Sequence, residues 1–135
     1  MSGFNNLIIQ IKSCLITQDR ENGYAHPVEP VLKKLIENYE IDFIKYMMLS
    51  ITDEQDFIFL ADLLMCLGYF SNLDWVDMIY QKSLSHSCVT VRDAAVQMLE
   101  AHNRIDIIKK YNNEEVPWLK SYIESIIRHS ENKTI

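Results

Sequence analysis

From Phe4 the apolar residues recur at positions 4, 7, 8, 11 and 15, a spacing that predicts a helix over residues 1–18 with one continuous apolar stripe. Val31, Leu32, Leu35, Ile36 and Tyr39 repeat that periodicity, and Pro27 and Pro30 suit the first turn of the helix that carries them. Asp53, Glu54 and Asp56 precede the next apolar run, where carboxylates complement the unpaired amides and positive dipole end of a helix start. Trp118, Leu119, Tyr122, Ile123, Ile126 and Ile127 predict a closing helix over 117–129. The polar stretch Gln18 to His26 contains Gly23 and reads as the longest connection. No run alternates with the period of two that a half-buried strand requires.

Laid over itself at an offset of 32 residues, the chain shows a repeat. Ile41-Asp42-Phe43-Ile44 falls on Leu73-Asp74-Trp75-Val76, which falls on Ile105-Asp106-Ile107-Ile108. The same shift aligns Val31, Leu63 and Ala95; Leu32, Leu64 and Val96; Leu35, Leu67 and Leu99; and Met47, Ile79 and Tyr111. Each period holds two short helices, 28–38 with 41–50, 56–69 with 73–84, and 90–101 with 104–111. One domain is therefore expected, with hairpins over 27–52, 56–84 and 90–113 between terminal helices over 1–18 and 116–130. A hairpin this short cannot bury its apolar face alone, so neighbours must stack. The expected fold class is all-α, a short α-solenoid of stacked antiparallel hairpins with capping helices at both ends.

The third period carries a resemblance. Leu84-Ser-His-Ser-Cys-Val-Thr-Val91-Arg92-Asp93-Ala94-Ala95-Val-Gln-Met-Leu99 resembles repeats of the HEAT and phycobilisome-lyase type, in which a short loop is followed by V-R-x-A-A-x-x-x-L. Leu67-Gly68 resembles the Leu-Gly that closes the first helix in that family. The resemblance implies a curved solenoid whose second helices line a concave, ligand-binding face. It also implies a structural role for Arg92.

Composition narrows the function. The 135 residues are 48% apolar and 24% charged, with three Gly and three Pro, as a helical globular chain requires. Thirteen basic against nineteen acidic side chains give a net charge of −6, which opposes direct binding of nucleic acid. That charge is lopsided: residues 1–67 carry five bases and ten acids, residues 68–135 eight and nine. No Lys or Arg lies between Lys45 and Lys82, a stretch that holds Asp53, Glu54, Asp56, Asp62, Asp74 and Asp77. A one-signed patch steers an oppositely charged protein and raises its association rate. Asp42, Asp74 and Asp106 recur at the starts of the second helices, where carboxylates cap amides or remain as a row of exposed acids. Tyr46 and Tyr80 are candidate aromatic anchors beside these acids. Trp75, aligned with Phe43 and Ile107, and the methionines Met47, Met48, Met65, Met78 and Met98 read as core.

Nothing in the chain reads as a catalytic or cofactor site. Cys14, Cys66 and Cys88 are widely spaced and suit reduced core thiols, and neither they nor His26, His86, His102 and His129 form a metal-ligand pattern. With Gly3, Gly23 and Gly68 as the only glycines, a phosphate-cradling loop is excluded, and H-E-x-x-H and G-x-S-x-G are missing. The longest apolar run, Ile58 to Phe70, is broken by Asp62 and too short for a bilayer, and Met1-Ser-Gly-Phe-Asn-Asn lacks a basic leader. A cytoplasmic, non-catalytic protein without metal or cofactor is expected.

In size, acidity and helical-repeat character the chain resembles small bacterial immunity proteins. That resemblance implies an antitoxin that neutralises a basic toxin such as a nuclease. The contact residues expected are Asp42, Tyr46, Asp53, Glu54, Asp56, Asp74, Asp77 and Tyr80. An adaptor or regulatory scaffold on the same solenoid is the alternative. Enzymes on HEAT-like scaffolds, bilin lyases and DNA glycosylases, fit less well, because a glycosylase needs a basic concave face.

Overall fold

The computed structural model describes residues 2–17, 28–70, 72–111 and 113–132. The expected connection from Gln18 to His26, and with it Pro27 and His26, lies outside the described residues. Among those described, every regular element is helical: α1 (Ser2–Thr17), α2 (Val28–Asp53), α3 (Phe57–Cys66) followed by a 3₁₀ turn (Leu67–Phe70), α4 (Asp74–Ser83), α5 (Val89–Ala101), α6 (Ile105–Lys110) and α7 (Pro117–Asn132). None is long and apolar enough to cross a membrane.

Within α2 two helical segments meet at a break that falls between the helices expected over 28–38 and 41–50. Tyr39 leaves helical geometry at φ −141°, ψ 39°, and hydrogen bonding resumes on either side. Its ring packs edge-on against Phe4 of α1 at 5.9 Å, so a tertiary contact accompanies the bend. The break after α5 is sharper. Asn103 adopts φ 59°, a left-handed conformation that asparagine tolerates better than most residues. Arg104 N–H then closes back onto the Leu99 carbonyl at 2.8 Å and ends the helix in a Schellman-type turn. Arg104 is thereby aimed at α4 and the start of α6.

Packing follows the apolar columns. Leu32, Leu64 and Val96 are fully buried, as are Leu35, Leu67 and Leu99, and Phe43, Met47, Val76, Ile79, Leu60 and Leu119 join them in the core. The α3 helix lies between α1 and α5, the second half of α2 packs on α4, and α7 covers α5 and α6. Removing these side chains from water supplies the main drive for folding, since helices of 6 to 16 residues are marginal alone.

The helix starts differ from expectation in detail. Asp56 does cap α3, accepting from Phe59 N–H at 3.0 Å. Asp74 and Asp106 lie in first turns but make no side-chain cap, and Asp42 lies shortly after the break at Tyr39, near the start of the second segment of α2. Asp74 is left to act through the dipole, while Asp106 is held by Arg104.

Candidate functional site

The acids singled out by sequence fall into three environments. At the α2–α3 corner, Asp53 and Asp56 are exposed, and Glu54 turns inward: its Oε1 accepts Asp56 N–H at 3.0 Å and Lys12 Nζ lies 3.9 Å from Oε2. About 13 residues earlier along α2, roughly 20 Å at the helical rise, a second group forms where α2 meets α4. Trp75 Nε1 donates to Glu40 Oε2 at 3.1 Å, and its ring packs edge-on on Phe43 at 6.0 Å. This brings Glu40 and Asp42 to the end of α4 that begins with Asp74. Among the described residues, Asp42, Asp53 and Asp74 have no cationic partner.

Asp77 belongs to a third, internal environment, which corrects its expected place on a free surface. Its Oδ2 accepts from Arg104 Nη1 at 2.8 Å and its Oδ1 lies 2.9 Å from His102 Nδ1. Arg104 also forks onto Asp106 at 3.0 and 3.1 Å. The two carboxylates raise the Arg104 guanidinium above its usual range, and Arg104 holds the Asp106 carboxyl below its own. His102 Nε2 is buried with no partner in this arrangement.

Neither tyrosine is a surface anchor. Tyr80 is 0% exposed, and its hydroxyl donates to the Leu64 carbonyl at 2.8 Å, tying α4 to α3. Burial raises its pKa, with Asp77 and Cys66 adding to the effect. Tyr46 packs on Phe4 and Phe43 at 6.1 and 6.3 Å, with its hydroxyl buried and unpartnered. Both rings face inward because Tyr46, one turn on from Phe43, and Tyr80, one turn on from Val76, fall on the core stripes of their helices.

Sequence reasoning missed the apolar part of the exposed surface. Ile41 and Leu49 are 68% and 61% exposed on the solvent side of α2, separated by Lys45 on the same stripe, and Met78 is 38% exposed on the adjoining α4. Ile41 had been aligned with Leu73 and Ile105, both half-buried. The departure of one member from its column is invisible in a repeat match. Helix α2 thus exposes apolar side chains with acids toward both ends of the stripe, and α4, which packs on α2, exposes Met78 and Asp74, the mixture of side chains that protein interfaces use. Lys45 supplies its one basic side chain on α2 between Ile41 and Asp53.

The opposite half is clamped. Arg92 donates through Nε and Nη2 to Glu114 at 2.8 and 2.9 Å, and through Nη1 to the His86 and Ser87 carbonyls at 2.9 and 3.0 Å. Tyr111 O–H and Val116 N–H also donate to Glu114 at 2.7 and 2.9 Å. Arg92 is the first cause holding the Glu114 carboxyl down at about 2, while burial raises the Tyr111 phenol to about 12. The Val-Arg motif thus serves to join two loops.

Among the described residues no three His, Cys, Asp or Glu side chains converge as a metal site requires. Among the described residues Cys14, Cys66 and Cys88 form no disulfide; Cys66 is buried and the others are half-buried. Comparison of the chain with family models, with curated proteins and with solved structures finds no match.

Proposed function

We propose that this protein is a non-catalytic binding module, a short HEAT-like stack of helical hairpins that holds one basic protein partner on the α2–α4 face. The observation that carries the reading is the exposed apolar stripe of Ile41 and Leu49 on α2, with Asp42 and Asp53 on the same helix and Met78 and Asp74 exposed on α4, the three acids having no cationic partner among the described residues. Exposed apolar groups rimmed by polar ones mark interaction surfaces. Acids that no internal cation neutralises extend their field into solvent and accelerate encounter with a positive surface. Equal burial in two of the 32-residue columns, Leu32 with Leu64 and Val96 and Leu35 with Leu67 and Leu99, supports the stacked-hairpin reading. An immunity protein that occupies a cationic toxin, such as a nuclease, fits an acidic helical chain of this size and needs no catalytic group.

Capture of the partner with the full chain as bait, followed by stopped-flow association, tests this. The expected partner is basic, its association slows with added salt, and Asp42→Lys, Asp53→Lys and Asp74→Lys combined lower the rate roughly tenfold or more at low salt. A partner whose association is indifferent to both salt and reversal would remove this face from the function.

A further inference from the structure

A cleft of about 530 Å³ opens between the end of α2 and the loop that joins α4 to α5. Neither Ile41 nor Leu49 lines it, although Thr52, one turn on from Leu49, does, and its volume falls in the range of small-ligand sites. Its two walls differ in chemical character.

On the α2–α3 side stands Glu54, whose side chain is only 17% exposed. Its Oε1 is committed to Asp56 N–H, but Oε2 has Lys12 at 3.9 Å, beyond hydrogen-bond length, so that oxygen retains capacity for a closer donor. The last carbonyls of α2 add the negative end of a helix dipole to this wall.

The facing wall is rich in donors: the Lys82 ammonium, the hydroxyls of Ser85 and Ser87, and His86. Cys88 N–H donates to His86 Nδ1 at 2.9 Å, so the proton of the neutral ring is on Nε2. Burial first, and the Arg92 charge second, push the imidazole below its usual range and keep it neutral near pH 7. The Arg92 bonds to the His86 and Ser87 carbonyls hold the loop in place. Between the walls lie Ile51 and Phe57, the Phe57 ring set edge-to-face with His86 at 5.0 Å.

We infer that this cleft binds a small zwitterion, an α-amino acid or short peptide with both termini free. Glu54 receives the ammonium, Lys82 with Ser85 and Ser87 receives the carboxylate, and Ile51 and Phe57 pack an apolar side chain. The inference does not depend on the basic-partner reading, because its ligand touches none of Asp42, Asp53 or Asp74.

The test is a titration of the ¹⁵N-labelled full chain with L-phenylalanine, phenylalanylglycine, N-acetylphenylalanine and phenylalanine amide, followed at the backbone amides. Saturable shifts confined to the neighbourhood of Gln55, Phe57, Ser85 and Ser87 are expected with the first two probes. Whichever of those binds tighter identifies the free amino acid or the peptide as the ligand. Each blocked analogue loses one charge-assisted bond and is expected to bind roughly tenfold more weakly. Glu54→Gln should erase the discrimination against the acetylated probe, and Lys82→Met that against the amide. Equal binding of free and blocked probes to the wild-type chain, or no saturable shift at tens of millimolar, overturns the inference.

Discussion

Asp77, Asp106 and Glu114 each meet an arginine, whereas Asp42, Asp53 and Asp74 meet no cation among the described residues. The contrast follows from where arginine stands in the chain. Arg92 sits in the first turn of α5 and Arg104 just beyond its end, so two helix boundaries carry a forked donor, Arg92 reaching Glu114 between α6 and α7 and Arg104 reaching Asp77 on α4. The stretch from Lys45 to Lys82 has no Lys or Arg between its ends, so an acid there meets a cation only from elsewhere in the chain, as Asp77 meets Arg104, while Asp56 caps a helix and Asp53 and Asp74 face solvent. Similar carboxylates thus serve cohesion in one half and presentation in the other. A residue count cannot distinguish the two uses; the partner of each oxygen does.

The largest test of this contrast is Glu114→Ala. It leaves the Arg92 guanidinium, 13% exposed, without its counter-charge, and should cost about 3 kcal/mol in urea unfolding; a loss below about 1 kcal/mol would place the clamp among ordinary surface pairs. The same group sets an acid dependence. Because the folded carboxyl titrates at about 2 rather than 4.5, the unfolded chain takes up the proton first. The stabilisation is complete above about pH 4.5 and drains away as pH falls toward 2, and Glu114→Gln should flatten that part of the stability curve.

A matched pair of variants sharpens the comparison. Asp77→Asn, which weakens bonds to Arg104 and His102, is expected to cost about 2 kcal/mol, whereas Asp74→Asn, three residues earlier on the same helix, should stay within about 0.5 kcal/mol of wild type. Equal costs in thermal or urea melts would mean that the two carboxylates do the same work. Between these lies Tyr80→Phe, which removes the buried hydroxyl that ties α4 to the Leu64 carbonyl, leaving that oxygen the Leu67 N–H, and should cost about 1 kcal/mol with no effect on surface binding.

Much of the helix layout was legible from apolar spacing. The stripe at 4, 7, 8, 11 and 15 is buried in α1, at Phe4, Leu7, Ile8, Ile11 and Leu15, and the aligned leucines are fully buried. The break at Tyr39 was legible as the gap between the helices expected over 28–38 and 41–50, but the packing of its ring on Phe4 was not, since that contact joins residues far apart in the chain. Of the expected contact residues, Asp42, Asp53, Asp56 and Asp74 retain a solvent-accessible place, Glu54 turns partly inward, and Asp77, Tyr46 and Tyr80 are taken by internal contacts.

The sequence by itself determined the helical character, the periodic core positions and the uneven distribution of charge, because each depends on residues close together in the chain. Only the tertiary structure decided which acids stay unpaired, which tyrosines are buried and where the zwitterion cleft opens. Those outcomes depend on partners far apart in sequence, such as Arg104 with Asp77, Arg92 with Glu114 and Tyr80 with Leu64, whose meeting is set by how the helices pack.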